Sequence, residues 1–377
     1  MLLVACYSYS QEKIPFIDFN SIAQQIPKAE SNEKKLELIN KISKNDSAYY
    51  SLLSTKSYYL LQLKKYDEAL KVVNEGINSK HKHSKVNFYV NKGVALGGLN
   101  RSGEALENYK AGIEKYPKNH LLWYNVGYTL EAKGKLNEAI EAYKKAITYN
   151  PFYTKPHLQI GNIFYKQERI TQALMCFNMY LLLEPDVDGA FSVLKSLNNV
   201  IQAKNSNKRN NDITLNDADD SFEEIDLVLS TKIALNTKYK IDNPIKIALT
   251  KQNHAMIEQL KNFEGDGGFW DKTYVPFYQW ISDNNLFDDF VYTLSYSIEN
   301  EDYKKIITKN TDKIVAFLGD LKAKWRDLVS INTVLHNGIE QEVIYEYNNS
   351  YVNAIGKADR DKAIGFWQFF NESGRLI

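Results

Sequence analysis

The residues best suited to metal binding or nucleophilic catalysis are six histidines (His81, His83, His120, His157, His254 and His336) and two cysteines, Cys6 and Cys176. A zinc protease would place two histidines one helical turn apart around a glutamate, because positions i and i+4 share a helix face. No His-Glu-x-x-His occurs. His81-Lys82-His83 reads as a solvated basic turn. The cysteines form no Cys-x-x-Cys pair, so neither a thiolate zinc site nor a disulfide framework is implied. Gly-x-Ser-x-Gly, phosphate-loop and dinucleotide patterns are also absent. Gly265-Asp266-Gly267-Gly268 is glycine-rich, but no Lys-Ser/Thr follows and no strand precedes it, so it reads as a turn. Asp288-Asp289 stands at a helix start, where acidic side chains suit the helix dipole. The chain is expected not to be an enzyme, with no cofactor and no bound metal.

Aromatic recognition is the next chemistry to consider. Phe269, Trp270, Tyr274, Phe277, Tyr278, Trp280, Phe287, Phe290, Tyr292 and Tyr296 crowd into a 28-residue stretch. They form either a recognition pocket, for instance for carbohydrate, or a core of large rings. The remaining composition narrows the partner class. A net charge of +1 over 377 residues gives no basic field, so nucleic acid is not an expected partner. With 44% hydrophobic and 25% charged residues the chain has the make-up of a soluble globular protein. No run of 18 apolar residues exists, so no helix is expected to span a membrane.

The element that would position such residues is an internal repeat. Gly93, Gly127 and Gly161 are 34 apart, as are Ala105, Ala139 and Ala173. Tyr109, Tyr143 and Phe177 keep the spacing, and so do Pro117, Pro151 and Pro185. The physics of each type fits a helix pair. Glycine and alanine permit close approach, the large ring fills the seam, and proline ends the unit. In the middle unit Trp123, Val126, Gly127, Leu130, Gly134, Leu136, Ala139, Tyr143, Ala146 and Pro151 resemble the tetratricopeptide repeat (TPR) family. A weaker unit precedes, with Tyr66, Ala69, Gly76 and Ile77 in register but Lys56 and Ser57 departing from the pattern. The resemblance covers residues 50–203, including a capping helix at 187–203 through Ala190, Phe191, Leu194, Leu197 and Val200. A terminal unit needs such a cap to hide its apolar face.

The resemblance implies an α-solenoid whose concave groove, lined by the first helix of each unit, binds a peptide or helix of another protein. The groove-facing positions counted in register are Tyr58, Gln62, Asn87, Val90, Tyr124, Tyr128, Glu131, Lys155, Asn162 and Tyr165. Tyrosine suits such a surface because it offers rigid amphipathic area at low entropy cost. A subtype that clamps a C-terminal carboxylate is matched in part by Asn91, Asn125 and Lys155. Ser54 and Tyr58 stand where it requires lysine and asparagine, and they count against it. The alternative for the groove is that it packs on the protein's own second half.

The fold class is therefore mainly α: a TPR-type solenoid, then a second α-helical domain, then a small C-terminal β-hairpin segment. The expected divisions are 1–10, an apolar leader; 11–49, a divergent helical pair with Ile22, Ile26, Leu36, Leu38, Ile39 and Ile42; 50–203, the solenoid; 204–220, a polar linker; 221–338, the α-helical domain, which is otherwise a degenerate continuation of the solenoid; and 339–377, the β segment. Ser221-Phe222-Glu223-Glu224 predicts a capped helix over 221–240. Gly365 to Leu376 resembles one MORN-like hairpin unit, with Gly356-Lys357 ending a poorer one. A lone hairpin is marginal in water, so it must pack on the helical domain or pair with a partner.

Met1 to Ser10 reads as the end of a secretory signal, cleaved after Ser10, or as a lipobox in which Leu3-Val4-Ala5-Cys6 makes Cys6 the site of a lipid anchor. The third reading is an unprocessed apolar terminus. The functional expectation is an exported scaffold or adaptor of a bacterial cell envelope, periplasmic or outer-membrane-associated. It would be cytoplasmic if the leader is not a signal. The partner is another protein. The alternatives are a structural subunit of a larger envelope assembly and a carbohydrate-binding protein.

Overall fold

The computed structural model describes residues 19–79, 86–202, 222–231, 236–336, 338–359 and 362–377. Cys6, the leader, His81, His83, the whole 204–220 linker and Ser221 of the expected capping box lie outside the described residues. The chain divides into two compact units, residues 1–111 and 112–377.

The first unit contains α1 (Phe19–Ala23), α2 (Asn32–Asn40), α3 (Tyr49–Gln62), α4 (Tyr66–Asn78), α5 (Val86–Gly98) and most of α6 (Ser102–Lys115). The divergent pair expected upstream is present as α1 and α2, with Ile22, Ile26, Leu36, Ile39 and Ile42 buried. Leu36, Leu60, Leu61, Ala69 and Ala95 form one core cluster, and Tyr49, Leu53, Val73 and Phe88 another. Ser57 replaces the repeat's glycine and is fully buried. Its hydroxyl accepts from Asn91 Nδ2 at 2.8 Å, and the same amide donates to Ser54 O at 2.9 Å. Asn91 is therefore committed to the core and is not free to clamp a carboxylate.

The second unit holds α7 (His120–Ala132), α8 (Leu136–Tyr149), α9 (Lys155–Lys166), α10 (Ile170–Leu183), α11 (Ala190–Gln202), α12 (Glu223–Ser230), α13 (Ala248–Leu260), α14 (Phe269–Asp283), α15 (Phe287–Leu294), α16 (Glu301–Lys309) and α17 (Thr311–Ser330). Four strands follow, β1 (Ile331–His336), β2 (Ile339–Asn348), β3 (Tyr351–Asp359) and β4 (Lys362–Phe369), in an antiparallel meander of order β1-β2-β3-β4.

The helical turns keep the register of the repeat. Lys64, Asn100, Gly134 and Glu168 all have φ between +56° and +73°, spaced 36, 34 and 34 residues apart. The residue after each donates its N–H back to the preceding helix, to Leu60, Leu96, Leu130 and Phe164 respectively, at 2.8–3.0 Å. This is the left-handed C-terminal cap that ends a helix while satisfying its carbonyls. Glycine and asparagine adopt it readily, whereas Lys64 and Glu168 are held there by their surroundings. At Gly127 an added Cβ would sit 2.7 Å from the Tyr143 ring, so the close helix approach inferred from the sequence is real.

Helix α10 organises the second unit. Every residue from Thr171 to Leu183 is buried. It packs on α9, α11, α12, α15 and α17. The later helices thus pack against the third repeat as well as against one another. Asp226 on α12 accepts from Thr171 N at 2.7 Å and Oγ1 at 2.6 Å. Asn178 Nδ2 donates to Asn253 Oδ1 at 2.6 Å and Tyr278 Oη at 3.2 Å. Trp325 Nε1 donates to Pro151 O at 2.9 Å.

Two element boundaries differ from expectation. The helix predicted over 221–240 is the eight-residue α12, and Phe222 at its N-cap makes no side-chain cap bond. The chain has left the helix by Asn236, whose side chain accepts from Lys238 N in an Asx turn. The β segment begins at Ile331, directly after α17, not after Gly338. It is a four-stranded sheet rather than a hairpin, so the 365–376 stretch is its last strand and a turn. One face of the sheet is anchored through a cluster of Tyr149, Val343, Tyr345, Val352, Ile355 and Phe370. Lys118 Nζ lies 4.8 Å from the Tyr149 ring centroid, 5.4 Å from Tyr345 and 5.7 Å from Phe370.

Candidate functional site

The first helices of the repeats present the residues counted as groove-facing, and none of them is buried. In the first unit, α3 carries Tyr58 and Gln62, both exposed, and α5 carries exposed Asn87 and half-buried Val90. In the second, α7 carries Tyr124, Tyr128 and Glu131, and α9 carries Lys155, Asn162 and Tyr165. Tyr58, Tyr128 and Tyr165 are 49%, 54% and 41% exposed, unusual for rings of this size. Helical geometry produces this. The opposite faces of α7 and α9 carry Val126, Gly127, Leu130, Ile160, Gly161 and Phe164, which enter the core and leave these positions outside.

On α7 three of the expected residues meet. Tyr124 packs against Tyr128 at 6.4 Å, Tyr143 at 5.7 Å and Tyr153 at 5.3 Å between ring centroids. Tyr143 Oη donates to Glu131 Oε2 at 2.8 Å, which fixes the carboxylate. Burial, followed by the neighbouring Tyr128 and Glu131 and partly countered by a Gln159 hydrogen bond, pushes the Tyr124 hydroxyl's pKa up. Tyr124 thus presents a neutral hydroxyl. Tyr128 and Glu131 line a depression of about 250 Å³ with Ala132, Leu136, Ile163, Lys166 and Gln167. Gln167 is only 4% exposed and its Oε1 has no donor. Lys155 opens α9 and Tyr165 nearly closes it, about 15 Å apart along the axis at 1.5 Å per residue. Lys155 therefore belongs to the same face but not to the depression. Leu136, Ile163, Lys166 and Gln167 are not among the positions counted in register as groove-facing.

The other candidates resolve into structure. His157 is fully buried, and its Nδ1 is 2.6 Å from Tyr274 Oη. Burial lowers its pKa to about 3 and that of His120 to about 4. His254 Nδ1 meets Tyr239 Oη at 2.7 Å, and His336 stacks on Phe366. Cys176 is free and buried, and burial raises its thiol pKa. Among the described residues no cluster of histidine, cysteine or carboxylates could hold a metal ion. No helix among them is long and apolar enough to cross a membrane. The aromatic cluster is a core. Trp270, Tyr274, Phe277, Tyr278 and Phe290 are fully buried, Tyr292 nearly so, Phe269, Trp280 and Phe287 are half-buried, and Tyr296 is exposed. Gly265 to Gly268 form the turn into α14, where Asp271 Oδ2 accepts from Gly267 N at 3.0 Å.

A family model described as a tetratricopeptide repeat matches residues 108–141, and one described as a TPR repeat matches 130–168. Residues 108–168 are tetratricopeptide repeats. Among curated proteins, Essential for maintenance of the cell wall protein 1 of Saccharomyces cerevisiae is 24% identical over 152 residues, which is 39% of this chain and 16% of the yeast protein. The chain thus spans about a sixth of that relative's length. Among solved structures, MamA (residue 41 to the end) of Desulfovibrio magneticus RS-1 is 21% identical, covering 45% of this chain and 95% of that one at a TM-score of 0.37. The C-terminal part of a TPR repeat-containing protein of Cytophaga hutchinsonii is 13% identical, covering 76% and 96% at 0.39. At these values the likenesses say nothing of what the tetratricopeptide repeats of this chain bind.

Proposed function

We propose that this chain is a non-catalytic protein-interaction scaffold that holds a peptide or helix of another protein on the tyrosine-bearing first helices of its repeats. The observation that carries the reading is the exposure of Tyr128 and Tyr165 beside a lined depression. The chain's later helices pack on α10 and on the core-facing side of α9, where Trp270 meets Phe164 and Tyr274 meets His157, and leave this face uncovered. Tyrosines of this kind supply large contact area with little rotamer entropy to lose. Tyr124, Tyr128, Glu131, Asn162 and Tyr165, with Lys155 at one end, form the surface on the second unit. Tyr58, Gln62, Asn87 and Val90 form one on the first.

The finer setting, an exported adaptor of a cell envelope, rests on Met1 to Ser10 and Cys6 alone and is tested by cell fractionation. The surface itself is tested by affinity capture from the source organism followed by mass spectrometry, comparing the native chain with Tyr128→Asp. The expected result is loss of specific partners from the variant with an unchanged thermal midpoint. Retention of every partner by a folded Tyr128→Asp chain would overturn the reading. A structural subunit would instead co-purify in one stoichiometric assembly whatever stands at position 128. A carbohydrate-binding protein needs several exposed rings in the 269–296 stretch, where Tyr296 alone is exposed and Phe269, Trp280 and Phe287 are half-buried.

A further inference from the structure

A second recess, on the first unit, has chemistry of its own. About 160 Å³ is enclosed on several sides by Ile39, Asn40, Ile42 and Lys44 from α2 and the loop after it, and by Tyr49, Leu52, Leu53 and Lys56 from α3. Its origin lies in a departure from the repeat. In register, Lys56 stands where Val126 and Ile160 bury aliphatic side chains, and Lys92 stands there in the intervening unit. A lysine cannot fill that slot as an aliphatic residue does, and at Lys56 the space beside α2 stays open.

Two lysines of the recess, Lys44 and Lys56, share one nearby carboxylate, that of Glu75. Glu75 accepts from Tyr49 Oη at 3.1 Å and lies 3.6 Å from Lys44 Nζ, so its carboxylate is already engaged. Lys56 is half-buried and forms no ion pair among the described residues. Its ammonium is pushed toward the neutral form by burial; among the neighbouring charges Glu75 opposes this most, Lys44 adds to it, and Glu68 opposes it least. A partly desolvated cation with no carboxylate at ion-pair distance is under-compensated, and an anion that enters the recess and meets it directly relieves this.

We propose that this recess binds a small aliphatic carboxylate. Lys56 Nζ and Lys44 Nζ would take the carboxylate, and Ile39, Ile42, Leu52 and Leu53 would line the aliphatic body. The volume equals roughly five water molecules at about 30 Å³ each, which suits a body of four to six heavy atoms. The site is distinct from the tyrosine surface and stands or falls separately from it.

The test uses the full chain with labelled isoleucine and leucine methyls, titrated with isovalerate, with neutral isovaleramide, and with a short peptide ending in leucine with a free carboxylate. Isovalerate is expected to shift the Ile39, Ile42, Leu52 and Leu53 methyls saturably, and isovaleramide is not. Lys56→Gln should weaken binding at least about tenfold, the loss of one charge-assisted hydrogen bond, and Lys56→Arg should retain most of it. A response to the peptide but not to isovalerate keeps the site and assigns the carboxylate to a chain end. No saturable response to either carboxylate, equal response to the amide, or unaltered binding by a folded Lys56→Gln chain each overturns the proposal. The comparison of acid with amide needs no variant.

Discussion

Two sets of aromatic rings in this molecule have opposite fates. On the first helices of the repeats, Tyr58, Tyr128 and Tyr165 keep roughly half their surface in water. Between α14 and α15, Trp270, Tyr274, Phe277, Tyr278 and Phe290 keep none. The hydroxyls of the buried set are paired, and Trp270 Nε1 is the one buried polar atom of these five rings without a partner. Tyr274 Oη meets His157, Tyr278 Oη meets Asn178 and Met175 O, and the rings contact one another and Trp325 at 4.8–6.2 Å. A buried hydroxyl without a partner would be destabilising, so this pairing marks the rings as core. The hydroxyls of the exposed tyrosines make no hydrogen bond among the described residues. Aromatic density alone does not separate the two sets; exposure relative to the repeat register does.

Substitutions separate the two sets sharply. Trp325→Ala, which removes a ring packed at 4.9 Å on Tyr274 and its bond to Pro151, should cost about 3–5 kcal/mol in urea denaturation. A loss under 1 kcal/mol would show that the α14–α17 rings are not a tight core. Tyr274→Phe keeps the volume but strands His157 Nδ1, and should cost about 1–3 kcal/mol. Tyr128→Phe, the same chemical change on the exposed set, should stay within about 0.5 kcal/mol.

Acid tests the buried side alone. His157 and His120 have folded pKa values lowered by burial to about 3 and about 4, against an unfolded value of about 6.5. Below that value the unfolded chain takes up protons that the folded chain refuses. Their stability contribution is therefore complete above about pH 6.5 and is lost as pH falls toward 4 and 3. Each imidazole adds a slope of about 1.4 kcal/mol per pH unit in that window. His157→Gln should remove one such slope, measured by denaturation between pH 7 and 4.5. Tyr128→Ala should leave the slope as it is and shift stability by no more than about 0.5 kcal/mol.

The repeats were legible because four residue types recur at one spacing, and the exposed faces of α3, α7 and α9 followed from that register. Lys64 and Glu168 could not be read as left-handed turn residues, since their types do not favour that conformation. Gly134 carried the signal for its own turn. The packing of the later helices on the third repeat depended on contacts such as His157 with Tyr274, 117 residues apart, which no local pattern encodes. A hint was present in α10, whose Met175-Cys176-Phe177 and Tyr180-Leu181-Leu182-Leu183 are apolar around the helix. Such a helix is covered on every side. The sheet was read in part because β2, β3 and β4 have strand-like composition. β1 follows α17 without a break and offered no turn to mark it. The depression beside Tyr128 was half legible, through Tyr128 and Glu131, while Ile163, Lys166 and Gln167 come from the end of the next first helix.

The most direct test of the central claim is the hydrogen-exchange footprint of a captured partner on the intact chain. The expected result is slowed exchange in peptides covering α7 and α9, residues 120–132 and 155–166, with α14 and α15 unchanged. Slowed exchange confined to residues 269–296 or to the β-sheet, with α7 and α9 unaffected, would contradict it.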